Sequence, residues 1–166
     1  MLLRLSKISL VASAALFLLV VVFNNLTDYG SNFAFVQHVL AMDSTFPGNQ
    51  GMWRAITSPV IHHAFYASII LWEFAAGLLI AMGAWKLWQA RAASAAVWQH
   101  AKSFAIAGLT LSLLQWFVAF ITVGGEWFLM WQSSTWNGQN AAFRMFAVLG
   151  LILLFLNQRD DDLPSA

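Results

Sequence analysis

Four stretches of this chain are apolar on every side rather than along one stripe: residues 8–23, 61–87, 104–123 and 141–156. A helix of that kind faces other apolar groups all round its axis, and about 20 such residues cross the hydrocarbon of a bilayer. With their flanks, the stretches predict helices over about 5–26, 59–88, 100–124 and 140–157. Ser58 stands as N-cap to the second, with Pro59 at its first helical position. Gly124-Gly125 closes the third and a polar tail follows the fourth. No small-residue cleavage signal follows Phe23, so the first stretch is expected to stay as an anchor. The fold class predicted is an all-α membrane protein, a four-helix transmembrane bundle forming one membrane domain over 1–166, with outer loops at 27–58 and 125–139. Within the first loop, Phe33, Val36 and Leu40 recur at helical spacing, which predicts a short helix lying on the interface. Residues 46–51 then read as turns, and the Ala-rich stretch 88–103 as an extension of the helices beyond the membrane.

Composition agrees with that solvent. The 166 residues are 60% hydrophobic and 9% charged, against about 45–50% and about 25% in soluble domains. Eight basic and seven acidic groups cannot solubilise 14 Phe and 9 Trp. Such apolar content excludes disorder, and without a basic surface no nucleic-acid partner is expected. The chain has no Cys, which excludes disulfides, thiolate metal sites and cysteine catalysis. Arg4, Lys7, Lys86, Arg91, Lys102 and Arg159 fall on one side of the predicted spans, leaving Arg54 and Arg144 opposite. The positive-inside rule then places both termini in the cytoplasm. Trp85, Trp88 and Trp98 would form the inner aromatic belt, and Trp53, Trp127, Trp131 and Trp136 the outer one. Asn25-Leu26-Thr27 is formally a glycosylation sequon. Asp160, Asp161 and Asp162 read as a solvated tail.

With so few charges, those inside the spans need a reason. Glu73 lies about 12 residues into the second helix, roughly 18 Å deep, where an ionisable group is costly. His62, Tyr66, Ile69, Glu73 and Gly77 share one stripe. Gly108, Ser112, Gln115, Ala119 and Thr122 form a matching small or polar stripe on the third span, as helix contacts in membranes require. The antiparallel arrangement brings Gln115 to the depth of Glu73, which predicts a hydrogen bond, direct or through water. Ser6, Ser9 and Ser13 of the first span are expected to pack against this pair. Trp72 and Trp116 adjoin the two polar residues mid-span, and their indole N–H groups require acceptors from protein, lipid or quinone. Glu73, Gln115, Trp72, Trp116 and Arg144 are therefore the candidate ligand-binding set.

A second candidate cluster sits at the outer end. His38, His62, His63 and Glu126 supply donors suited to zinc or copper, and Glu126 with Arg144 is expected to form an ion pair. The adjacent His62 and His63 point about 100° apart on a helix, however, and no HxxxH or HExxH spacing is present. Bis-His haem lacks a facing pair at matched depth. No triad, phosphate loop or acid–base carboxylate pair is recognisable, so no residue is assigned a catalytic role.

The stretch Asn24-Asn25-Leu26-Thr27-Asp28-Tyr29, with Phe35-Val36-Gln37-His38-Val39-Leu40-Ala41-Met42-Asp43 and Gly51-Met52-Trp53-Arg54, resembles a bacterial family of predicted small integral membrane proteins. That resemblance implies four spans over nearly the whole chain and no catalytic residue or ligand. The leading functional expectation is a non-enzymatic accessory, assembly or scaffold subunit in a bacterial inner membrane, partnered by lipid and by another membrane protein or a second copy. The alternative is a protein that binds quinone, lipid or a metal near Glu73, His62 and Arg144.

Overall fold

The computed structural model describes residues 1–162. Helix α1 is Leu2–Thr27, α2 is Tyr29–Ala41, α3 is Pro59–Gln89, α4 is Ala95–Ala101, α5 is Ser103–Leu114 and α6 is Gln139–Asn157. A π-helix, Gln115–Trp127, continues α5. Four helices are long and apolar enough to cross a membrane: Leu2–Thr27, Pro59–Gln89, Ala95–Trp127 and Gln139–Asn157. No strand occurs among the described residues. Leu16, Phe23, Leu71, Phe117, Leu151 and Leu154 turn outward on the four spans, as a lipid solvent allows.

Helix α3 is the centre of the bundle, flanked by α1 and α5. Its neighbours come close because small residues meet there. A Cβ added to Gly108 would lie 2.8 Å from the Ile80 backbone nitrogen and 2.9 Å from the Ala76 carbonyl oxygen. One added to Gly83 would meet the Ala105 backbone, and Gly77 faces Leu19 on the other side. With little hydrophobic drive between helices in lipid, this intimacy supplies the dispersion contact that holds them. Ser9 and Ser13 do not take part. They are exposed, and the buried stripe of α1 runs Arg4, Lys7, Val11, Ala14, Leu18, Val22 and Asn25.

The stripe expected on the third span holds through Gly108, Ser112 and Gln115, then fails. Thr122 is exposed, and burial passes instead to Trp116, Gly124 and Gly125. The cause is the π-helix: i→i+5 bonding abandons the 3.6-residue period from which the stripe was drawn. Thr122 Oγ1 donates to the carbonyl of Phe117, five residues back, at 3.0 Å.

At the end where α1 begins and α6 finishes (the terminal end), the segment after α6 folds back over the bundle. Lys7 Nζ donates to Asp160 Oδ2 at 2.7 Å, Lys102 Nζ to the same oxygen at 2.8 Å and Trp98 Nε1 at 2.9 Å. Asp160 is thus a buried ion-pair partner rather than part of a solvated tail, and Trp98 is wholly buried rather than an interfacial belt residue. Asp162 Oδ1 accepts from the Ala95 backbone N–H at 2.6 Å, capping the start of α4.

The opposite end carries α2, which follows α1 after the single residue Asp28 and buries Val36, Val39 and Leu40. Phe33 stacks on His63 with ring centroids 4.1 Å apart, and Tyr29 meets the Tyr66 edge at 4.7 Å. The Ile56 N–H donates to the Leu40 carbonyl at 2.8 Å, tying the loop after α2 to the start of α3. Exposed Trp53 and Trp127 flank Arg54, whose guanidinium donates to the Trp127 carbonyl at 2.9 Å.

Candidate functional site

Beneath α2, the four spans and α2 itself line a half-open cavity of about 280 Å³ with Glu73 on its wall. Its lining draws Val21 and Asn25 from α1, Asn32, Phe35 and Val36 from α2, and Tyr66, Ile69 and Glu73 from α3. Trp116 and Phe120 come from the π-helix, Gly138 from the turn before α6 and Ala141 from α6 itself. An apolar cavity of about 220 Å³ adjoins it and includes Val39, Leu40, Phe65, Trp72, Val123 and Met130. Phe35, Val36, Ile69 and Phe120 line both cavities.

Glu73 is only 2% exposed. Its direct hydrogen bond comes from Asn25 Nδ2, 2.9 Å from Oε2. Asn32 Nδ2 donates to Asn25 Oδ1 at 2.7 Å, so a chain of amides runs from the exposed face of α2 to the carboxyl. Gln115 lies beside the same carboxyl, but its amide nitrogen donates to the Ile69 carbonyl at 3.4 Å. The proximity of Gln115 to Glu73 expected from depth holds, and Asn25, from α1, adds the 2.9 Å hydrogen bond to Oε2 that depth alone did not indicate. Asn25 itself is 5% exposed, so a sequon by its letters is a buried structural amide. The chain alone offered no signal for this role, since Asn25 stands at the edge of its span.

The two mid-span indoles differ. Trp72 Nε1 donates to the Leu111 carbonyl at 2.9 Å and bridges α3 to α5. Trp116 Nε1 is buried and has no partner among the described residues, although Trp116 lines the cavity beside Glu73. Gln115 Oε1 and Ser112 Oγ, on the same side of this helix, are also buried without partners. Buried polar atoms are nearly always satisfied, and of these three only the Trp116 N–H belongs to a residue that lines the cavity. Of the candidate ligand set, Glu73 and Trp116 share the cavity, Trp72 lines its apolar neighbour and Gln115 sits behind. Arg144 is exposed and lines neither cavity.

The candidate metal donors are dispersed. His38 Nδ1 pairs with Asp43 at 2.7 Å and its ring stacks on Trp136. His62 Nε2 donates to the Ile56 carbonyl at 2.7 Å, and His63 shares a 2.8 Å hydrogen bond with the Tyr29 hydroxyl. Glu126 is exposed and makes no ion pair with Arg144. Among the described residues no three His, Cys, Asp or Glu side chains gather as a metal site. Each ring is held by a different partner, His38 by Asp43 and Trp136, His62 by the Ile56 carbonyl and His63 by Tyr29 and Phe33 of α2, which separates the donors that depth alone placed together.

The profile of a family described as predicted small integral membrane protein (DUF2165) matches residues 3–159. The chain belongs to that family. No curated protein and no solved structure matches it.

Proposed function

We propose that this protein holds a small amphiphile, a quinone or a lipid, in the cavity beneath α2. The unpartnered indole N–H of Trp116, buried on a cavity that also presents Glu73, carries the reading. A ligand oxygen accepts from Trp116, and a ligand hydroxyl or amine donates to the Glu73 carboxyl. A quinol head meets both requirements with its two oxygens. The adjoining apolar cavity receives the tail past Phe35 and Phe120. Volumes of about 280 and 220 Å³ together fall within the roughly 300–1,000 Å³ of small-molecule sites. The setting we infer is a bacterial inner membrane with both termini cytoplasmic, supported by the six basic residues on the terminal side of the spans.

The test is native mass spectrometry and solvent extraction of protein purified in mild detergent, with Glu73→Gln and Trp116→Phe beside wild type. We expect a retained amphiphile in wild type. Trp116→Phe keeps an aromatic ring but removes the pyrrole part with its N–H, and one lost hydrogen bond is worth about 1 kcal/mol, so at least a roughly fivefold loss of retention is expected. A larger protein complex with no small molecule would instead favour the accessory or scaffold role. Equal retention in all three proteins would refute the site.

A further inference from the structure

The charge cluster at the terminal end is built unlike an ordinary salt bridge. Three cations are almost wholly buried there: Arg4 at 1%, Lys7 at 0% and Lys102 at 2% exposure. They converge from the first turns of α1 and the junction of α4 with α5, and a single carboxylate, Asp160, answers the two lysines. All three donors to Asp160 meet at one oxygen, Oδ2, while the buried Oδ1 has no partner. Arg4 donates to the main-chain carbonyls of Arg91, Ala93 and Asp161, and its buried Nε is also without a partner. Burying three positive charges against one negative is costly, and a more highly charged or more oxygen-rich anion would match the site better than a single carboxylate does.

We propose that Arg4, Lys7, Trp98 and Lys102 form a binding site for a phosphate group, and that Asp160 occupies it in cis. A phosphate presents several acceptor oxygens where the carboxylate uses one, so it engages both lysines and the indole and reaches the idle Arg4 Nε as well. Arg4 and Lys7 stand in the first two turns of the 26-residue α1. That helix is longer than the roughly 20 residues that cross the hydrocarbon and so can put them at its edge, beside lipid headgroups. Residues 158–162, which fill the site, carry no helix. Lys7 and Lys102 also hold them through the Gln158 carbonyl, each at 2.8 Å, so the same incoming anion releases carboxylate and main chain together. An anionic phospholipid therefore displaces the tail and uncovers the terminal end of the bundle.

The experiment compares wild type with Asp160→Asn in neutral detergent, reading the melting temperature with added phosphatidylcholine, phosphatidylglycerol or inorganic phosphate. Loss of the cis carboxylate should lower melting in phosphatidylcholine. Phosphatidylglycerol should restore at least half of that loss, and bind the variant about tenfold better than wild type in native mass spectra. Equal recovery with inorganic phosphate would assign the site to the free ion, and recovery with phosphatidylglycerol alone to a lipid headgroup. The double variant Lys7→Gln/Asp160→Asn should lose the recovery. Recovery that persists in the double variant would overturn the proposal, as would a single variant that responds no more than wild type. So would one that stays unfolded in every addition.

Discussion

Replacing Asp160 with Ala tests the terminal-end cluster as a source of stability. Asp160 accepts three hydrogen bonds at 2.7, 2.8 and 2.9 Å, two of them from buried lysines. Taken singly, hydrogen bonds to charged groups contribute about 1.5–3 kcal/mol each. Two effects reduce the sum. The Gln158 carbonyl still faces both ammonium groups, and a released tail regains backbone entropy of about 1–2 kcal/mol per residue. Removing one partner of a buried pair costs about 3–5 kcal/mol, and that range is the expectation here. For a chain of this size it lowers the melting temperature by roughly 6–20 °C. Thermal unfolding in neutral detergent, followed by circular dichroism, measures it. A destabilisation below about 1 kcal/mol would mean that the cluster is an incidental contact, and the reasoning would fail.

The pH dependence of the same group has a definite sign. Burial pushes the Asp160 carboxyl up, but hydrogen bonds from Lys102, Lys7 and Trp98 outweigh it and hold the group below its ordinary value of 3.8. A carboxyl with a depressed native pKa contributes stability above its unfolded pKa and loses it as pH falls through the native one. The contribution is therefore complete at neutral pH, begins to fall near the unfolded value of about 4 and is gone only once pH has dropped through the lower native pKa. Asp160→Ala should flatten that acid limb.

Three other substitutions probe the bundle and the cap. Gly108→Leu forces a side chain against the Ile80 and Ala76 backbone, so a loss of at least about 1–3 kcal/mol is expected in denaturant titration. Asn25→Leu strips Glu73 of its direct donor and should cost about 1–3 kcal/mol by the same assay. Phe33→Ala removes the stack on His63 and should raise hydrogen exchange in α2 while leaving the spans protected, as expected for loss of about 0.5–1.5 kcal/mol from one aromatic pair.

The four spans, the helix in the first loop and the stripe on α3 were all legible along the chain. Lipid leaves a backbone no partner but itself, so a span must be a continuous apolar helix, and that is a property of consecutive residues. The buried face of α3 was legible for a related reason: His62, Tyr66, Glu73 and Gly77 keep the regular helical period that the eye can follow.

The tertiary structure alone decided which polar groups meet. Glu73 was visible as an anomaly, but its partner Asn25 stands 48 positions away, on the face that α1 turns toward α3. Lys7 and Asp160 are 153 positions apart, and nothing local distinguishes Asp160 from exposed Asp161. The π-helix moved burial from Thr122 to Trp116, a change of period that no spacing rule foresees. Depth in the membrane follows from counting residues along one helix. Contact depends also on how each helix is rotated about its axis and which neighbour it faces, and packing between distant segments sets both.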